Sequence, residues 1–116
     1  MIVHVTGPAA STETAACFVR LTARVAGGGT LVTCLTGFRG EPGPRALVRV
    51  RGTMTFHLPH RRLLRYRVLI VDRFAADGRH ATQTLTGKGI SGGGTFLEDP
   101  PGNVKASDLR YRLTLG

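Results

Sequence analysis

The chain has 116 residues, a formal net charge of +9 and a pI near 11.3, with 41% hydrophobic and 6% aromatic residues and no Trp. That length gives one domain over residues 1–116, with one core built mostly of Val, Leu, Ile and Ala. It excludes a membrane-spanning helix, because no apolar run approaches the roughly 20 residues such a helix needs.

Residues 1–5 are too short for the apolar segment of a signal peptide, and "GPAASTETAA" follows at once, so the chain reads as cytoplasmic. "IVHV" (2–5) is a candidate strand. "TGPAASTET" (6–14) is small and polar, a loose approach to the first long strand. Strand-like runs then follow at 17–25, 30–36, 46–58, 63–74, 80–90, 94–98 and 109–115. The 16 Gly and six Pro fall mainly between these runs, in turn chemistry such as Gly27–Gly29, "GEPGP" (40–44), Asp77-Gly78, Gly92–Gly94 and "DPPGN" (99–103). Nowhere does apolar spacing of 3.6 persist for a helix's length. Seven or eight antiparallel strands in so small a domain either stack as a sandwich or close as a barrel. The long strands with interior glycines favour curvature, and an antiparallel β-barrel is the expected fold, a β-sandwich the runner-up.

Hairpin pairing tests the faces. A two-residue turn at Asp77-Gly78 sets Asp72 opposite Gln83 and Ile70 opposite Leu85. A longer turn around Pro59–Arg62 sets Phe56 opposite Tyr66, Met54 opposite Val68 and Val50 opposite Asp72. Both registers put the same set inside: Val48, Val50, Met54, Phe56, Tyr66, Val68, Ile70, Asp72, Phe74, Gln83 and Leu85, joined by Leu109, Tyr111 and Leu113. Arg49, Arg51, Arg65, Arg67, Arg73, Arg110 and Arg112 fall outside.

With Gly27–Gly29 as a three-residue loop, Leu21 faces Leu35, Cys17 points in and Cys34 points out. That register forbids a bond between them, and two free thiols suit a reducing compartment. The four histidines lack metal-ligand spacing, so neither a metal nor another cofactor is expected. "GKGISGGGT" (87–95) has no helix after its Lys and reads as a glycine-rich strand corner rather than a phosphate loop.

The polar residues of the inner set carry the chemistry. Burying a carboxylate is costly unless it is paired or hydrogen-bonded. Asp72 and Gln83, with Tyr66 further along the same strand as Asp72 and Tyr111 on the last strand, would make a polar end to an apolar cavity. Tyr66, Asp72 and Tyr111 are the candidate catalytic residues. Val50, Met54, Phe56, Val68, Ile70, Phe74, Gln83 and Leu85 are the candidate substrate-binding residues.

Of the sixteen basic residues only Lys88 and Lys105 are not Arg. A GC-rich coding sequence accounts for that habit. The alternative is weak polyanion binding through Arg49, Arg51, Arg65 and Arg67. The face lacks interleaved aromatics, Phe18 excepted.

"LTGKGISGGGTF" (85–96) and "LRYRLTLG" (109–116), preceded by the alternating hairpin 46–86, resemble the small antiparallel barrels of the allene oxide cyclase and dirigent type. The resemblance covers about the last 70 residues. The chain is shorter than those families and lacks their tandem "GGTG" corner, so no active-site residue is carried over. The resemblance implies a rigid apolar cavity that folds a flexible hydrophobic substrate into a reactive conformer. The expected function is therefore a cofactor-independent small-molecule cyclase or isomerase, of natural-product type, acting inside the barrel. A non-enzymatic carrier of a hydrophobic ligand and an arginine-face binding module for nucleic acid or an acidic protein are the alternatives. A homo-oligomer is compatible with either.

Overall fold

Side chains that alternate apolar and polar can satisfy both faces of a sheet only if the apolar face is enclosed. In the computed structural model, which describes residues 1–12, 15–98 and 104–116 and the side chains of 1–7, 15–97 and 109–116, eight strands do this. They are β1 (Ile2–Thr12), β2 (Val19–Val25), β3 (Thr30–Arg39), β4 (Leu47–His57), β5 (Leu64–Phe74), β6 (His80–Gly87), β7 (Ile90–Glu98) and β8 (Val104–Leu115). Each pairs antiparallel with the next, and β8 pairs back onto β1, so the sheet closes. The expected antiparallel barrel forms, with eight strands, and the sandwich does not.

The alternation read from the sequence sorts most side chains correctly; Thr55, expected outside, is buried between Met54 and Phe56. Val48, Val50, Met54, Phe56, Val68, Ile70, Phe74, Ala81, Leu85, Leu109, Leu113 and Leu115 are buried, whereas Arg49, Arg51, Arg65, Arg67 and Arg73 are exposed. An apolar interior under an arginine-bearing exterior is the reverse of a lipid-facing barrel. No helix among the described residues is long and apolar enough to cross a membrane.

Several registers differ from expectation, each by an even step or a bulge. In β4–β5 the partners are Met54↔Tyr66, Val50↔Ile70 and Val48↔Asp72, two residues from the expected pairing, because the connection is longer and carries His60 at φ 57°. An even shift keeps every side chain on its face, so the core set survives. The run 80–90 is not one strand. It folds back at a two-residue turn, Lys88-Gly89, with Gly87 opposite Ile90 and Gly89 at φ 81°, a conformation glycine adopts freely. Gly92–Gly94, expected as a connection, lie inside β7. The β5–β6 turn holds four residues, 76–79, rather than two, yet leaves Asp72 opposite Gln83 as expected. Residues 6–12 continue β1 past an irregularity between Thr6 and Ala10 instead of forming a loose approach.

The cysteine reading is overturned. In β2–β3 the partners are Leu21↔Thr33 and Arg20↔Cys34, so Leu21 does not face Leu35. Cys17 precedes β2, where strand alternation no longer dictates its direction, and it bonds Cys34 with a Cα–Cα distance of 5.2 Å. The argument from free thiols to a reducing compartment falls with it. Closing a loop of 17 residues stabilises the fold by about 3 kcal/mol in the chain-entropy account. Protein denatured without reductant should therefore take up no iodoacetamide, and Cys34→Ser should lower the free energy of unfolding in urea by about that amount. Two alkylated thiols in the unreduced chain would contradict the bridge.

Candidate functional site

One tier of the barrel carries the polar interior. Following hydrogen-bonded partners around the wall, Val48 faces Asp72, Asp72 faces Gln83, Gln83 faces Gly94, Gly94 faces Tyr111 and Tyr111 faces Val5. Four adjacent strands thus bring a carboxyl, an amide and a phenol to one level, with a single gap at glycine.

That gap has a purpose. A Cβ on Gly94 would lie 2.5 Å from Cδ1 of the Tyr111 ring and 1.8 Å from the Arg110 carbonyl oxygen. The ring lies where a side chain on β7 would be, and so leans toward Gln83. This explains one glycine of the run that the sequence alone reads as a corner. The signal for Gly94 was its inward phase on β7, visible only once β6 and β7 are separated.

Gln83 is one partner of Asp72: its Nε2 donates to Asp72 Oδ1 at 2.8 Å. Asp72 and Gln83 are 6% and 8% exposed, so this hydrogen bond offsets part of the cost of burying the carboxyl. The Oε1 atom of Gln83 is buried and has no hydrogen-bond partner among the described residues. Burial pushes the Tyr111 phenol far above its ordinary value, the Asp72 charge adds to this, and the Gln83 amide pulls the other way. Tyr111 therefore stays protonated across the physiological range.

The alignment of this tier is held from outside by the β5–β6 turn. Asp77 Oδ1 accepts from the backbone N–H groups of Arg79 (2.9 Å) and His80 (3.0 Å), and the His80 ring contacts the other carboxylate oxygen. The Arg79 amide chiefly, then the His80 side chain, holds the Asp77 carboxyl well below the usual carboxylate range. The stability from this turn is present above about pH 4 and is lost as pH falls below that.

The cavity bounded by this tier is small, about 40 Å³, and lies toward the end of the barrel that bears the β3–β4 and β5–β6 connections. Asp72, Gln83 and Tyr111 form its polar side, and Leu21, Leu35, Phe38, Val50, Ile70, Phe96 and Leu109 its apolar walls. Room for about one water is far from the open interior expected of a cyclase that encloses its substrate. The rest of the barrel is filled by its own side chains, Phe56, Leu31, Met54, Leu85 and Leu113 among them.

The structure therefore divides the candidate residues. Val50, Ile70, Asp72, Gln83 and Tyr111 come together around the cavity. Tyr66 does not. It sits six residues along β5 from Asp72, roughly 20 Å at strand rise, near the opposite end, where its ring meets Phe56 edge-on at a centroid distance of 6.0 Å. Met54, Phe56, Val68 and Leu85 are packing residues that do not line the cavity. Phe74 reaches it only through Phe96, against which it stacks edge-on at 6.0 Å. The lining residues not among the sequence candidates are Leu21, Leu35, Phe96, Leu109 and, at the mouth, Phe38. A bulge between Leu35 and Gly37 advances β3 by one residue, sets Phe38 opposite Val50 and brings it to the cavity mouth. There it stacks edge-on with Phe18 at 5.1 Å, beside the disulfide.

No group of three or more metal-ligating side chains occurs among the described residues. No family model, curated protein or solved structure matches the chain, so its site is read from geometry alone.

Two outcomes check this geometry. In a Tyr66→Phe protein, Tyr111 should give no tyrosinate absorbance at 295 nm up to pH 11 while the fold is intact. The protonated phenol favours folding below its ordinary value of 10.0, and that stability is lost as pH rises beyond it. Gly94→Ala should destabilise the protein by about 3 kcal/mol in urea melts, through overpacking against backbone and ring.

Proposed function

We propose that the protein binds the polar head of a hydrophobic small molecule at the barrel mouth and acts on it as a cofactor-independent isomerase or cyclase. The observation that carries this is the buried, unpartnered Gln83 Oε1 between a buried carboxyl and a protonated phenol, in an otherwise apolar cavity. A buried acceptor without a partner costs about 1–3 kcal/mol, and a ligand that donates a hydrogen bond recovers it. The cavity takes a head group only. The remainder of such a ligand lies along Phe38 and Phe18 at the mouth, both exposed.

The chemistry follows from the three groups. Tyr111 donates a hydrogen bond to a carbonyl oxygen and draws electron density toward it. Asp72, oriented by Gln83, takes a proton from the carbon beside the carbonyl and returns it further along the conjugated chain, which shifts the double bond without any co-reactant. If the enol carbon instead adds to the far carbon of a second conjugated double bond in the same chain, that π bond gives way, the proton held by Asp72 passes to the enolate so formed, and the product is a ring. The resemblance to allene oxide cyclase-type barrels implies the same class of reaction but inside an enclosing cavity; here the filled lumen leaves the reaction at the mouth, and Tyr66 has no place in it. The Cys17–Cys34 bridge favours an oxidising compartment over the cytoplasm expected from the N-terminal residues.

Deuterium exchange tests the reading. With 3-nonen-2-one in D2O, the wild-type protein should bind the ketone, lower its carbonyl stretching frequency and accelerate exchange at the carbons flanking the enone. Tyr111→Phe should lose the frequency shift, and Asp72→Asn should lose at least 100-fold in exchange while binding stays within about threefold, as for loss of a general base. Exchange unaffected by Asp72→Asn would end the enzymatic reading. Binding with no exchange in the wild type would leave a hydrophobic-ligand carrier.

A further inference from the structure

The outer wall carries a row of cations that the small-molecule reading does not use, although the row ends at the Phe18–Phe38 pair along which that reading lays the ligand's tail. Two adjoining depressions cross β3 to β6. One is lined by Gly37, Phe38, Arg39, Arg49, Arg51 and Leu69, and the other includes Arg51, Arg67 and Lys88. They share Arg51 and Leu69, so they form one elongated groove with five cations and no carboxylate among the described residues lining it.

Register makes these cations neighbours. Arg39 is directly opposite Arg49, Arg51 is two residues along the same strand, and Arg67 lies diagonally across from Arg51. Like charges directly opposed on a sheet are destabilising, and nothing acidic in the groove offsets them. Threonine hydroxyls at 36, 53 and 86 flank the groove. A single small anion would satisfy one or two of these cations. A row across four strands matches a chain of regularly spaced anionic groups.

The end of the groove says which chain. Phe38 lines it and stacks on Phe18, and the two rings are 45% and 67% exposed. Exposed rings at the end of a cationic track are the elements of single-strand nucleic-acid platforms, where phosphates follow the cations and a base stacks on the aromatic. The bulge in β3 turns Phe38 toward the barrel mouth, where its ring borders the rim of this groove as well as the inner cavity. Of the arginines expected to hold a polyanion, Arg49, Arg51 and Arg67 lie in the groove. Arg65 does not, its Nε donating to Thr55 Oγ1 at 3.3 Å.

We propose that this groove binds a single-stranded polynucleotide without base readout, the backbone on Arg39, Arg49, Arg51, Arg67 and Lys88 and one base on the Phe18–Phe38 pair. The test is fluorescence anisotropy with a labelled oligo-dT 12-mer as a function of salt. Five engaged cations give a slope of about −3.5 in log affinity against log salt, roughly a hundredfold loss between 50 and 200 mM. Arg51→Ala with Arg67→Ala should flatten the slope by about 1.4, whereas Arg51→Lys with Arg67→Lys should leave it unchanged. Arg110→Ala with Arg112→Ala removes the same charge from β8, across the barrel, and should not change the slope. Phe18→Ala should weaken binding about tenfold at unchanged slope. Circular dichroism spectra confirm that each variant is folded. Equal flattening by the β8 pair would show attraction to net charge alone and overturn the site. So would absence of binding at 50 mM salt, or binding to anionic phosphatidylglycerol vesicles without binding to the 12-mer.

Discussion

Closure of β1 onto β8 is the constraint on which this structure rests. The seam runs from Ile2 opposite Thr114 to Thr6 opposite Arg110, and it is fastened at the chain ends, where the Met1 amino group donates to the Leu115 carbonyl and the Leu115 amide to the Met1 carbonyl. It removes the two free edges an eight-stranded sheet would otherwise present. The β5–β6, β6–β7 and β7–β8 pairings set Asp72, Gln83, Gly94 and Tyr111 in one tier, and closure encloses that tier. Without closure Asp72 and Gln83 would still pair, but against solvent, where neither burial nor the shift of the Tyr111 phenol would follow.

Interior packing and polar chemistry are divided along the barrel axis. Toward the end that holds the chain termini, Met54, Phe56, Leu31, Leu113 and their neighbours fill the lumen, as an eight-stranded barrel allows. Toward the other end, Val50 and the small gap at Gly94 leave the space that Asp72, Gln83 and Tyr111 border. The packed half rigidifies the tier, and the open half is capped by Phe38 and tied by the disulfide. A site at such a mouth favours ligands with a compact polar head and a tail that need not be enclosed. It also sets the inner site and the outer arginine groove on either side of one residue, Phe38, which borders both.

Much of the fold was legible because period-two alternation is a local property. The inward set on β4, β5 and β6 followed from the side-chain sequence, and register errors of two residues, as at β4–β5, cost nothing because they preserve the face. The pairing of Asp72 with Gln83 was legible for the same reason. Errors arose where alternation is interrupted. The bulge after Leu35 reversed the phase of Phe38, and the break at Lys88-Gly89 hid a hairpin. The irregular approach to β2 freed Cys17 to reach Cys34.

The order of apolar and polar residues along the chain, by itself, determined an all-β antiparallel domain of seven or eight strands, a barrel favoured over a sandwich, with arginines outside and a carboxyl inside, because each strand's two faces are fixed by its own residues. Tertiary structure alone decided that Tyr111 joins Asp72 and Gln83 while Tyr66 is remote, and that Cys17 meets Cys34. It alone decided that the lumen is nearly full. These depend on distances between strands far apart in sequence, on single-residue bulges, and on volumes summed over the whole wall, none of which a local pattern encodes.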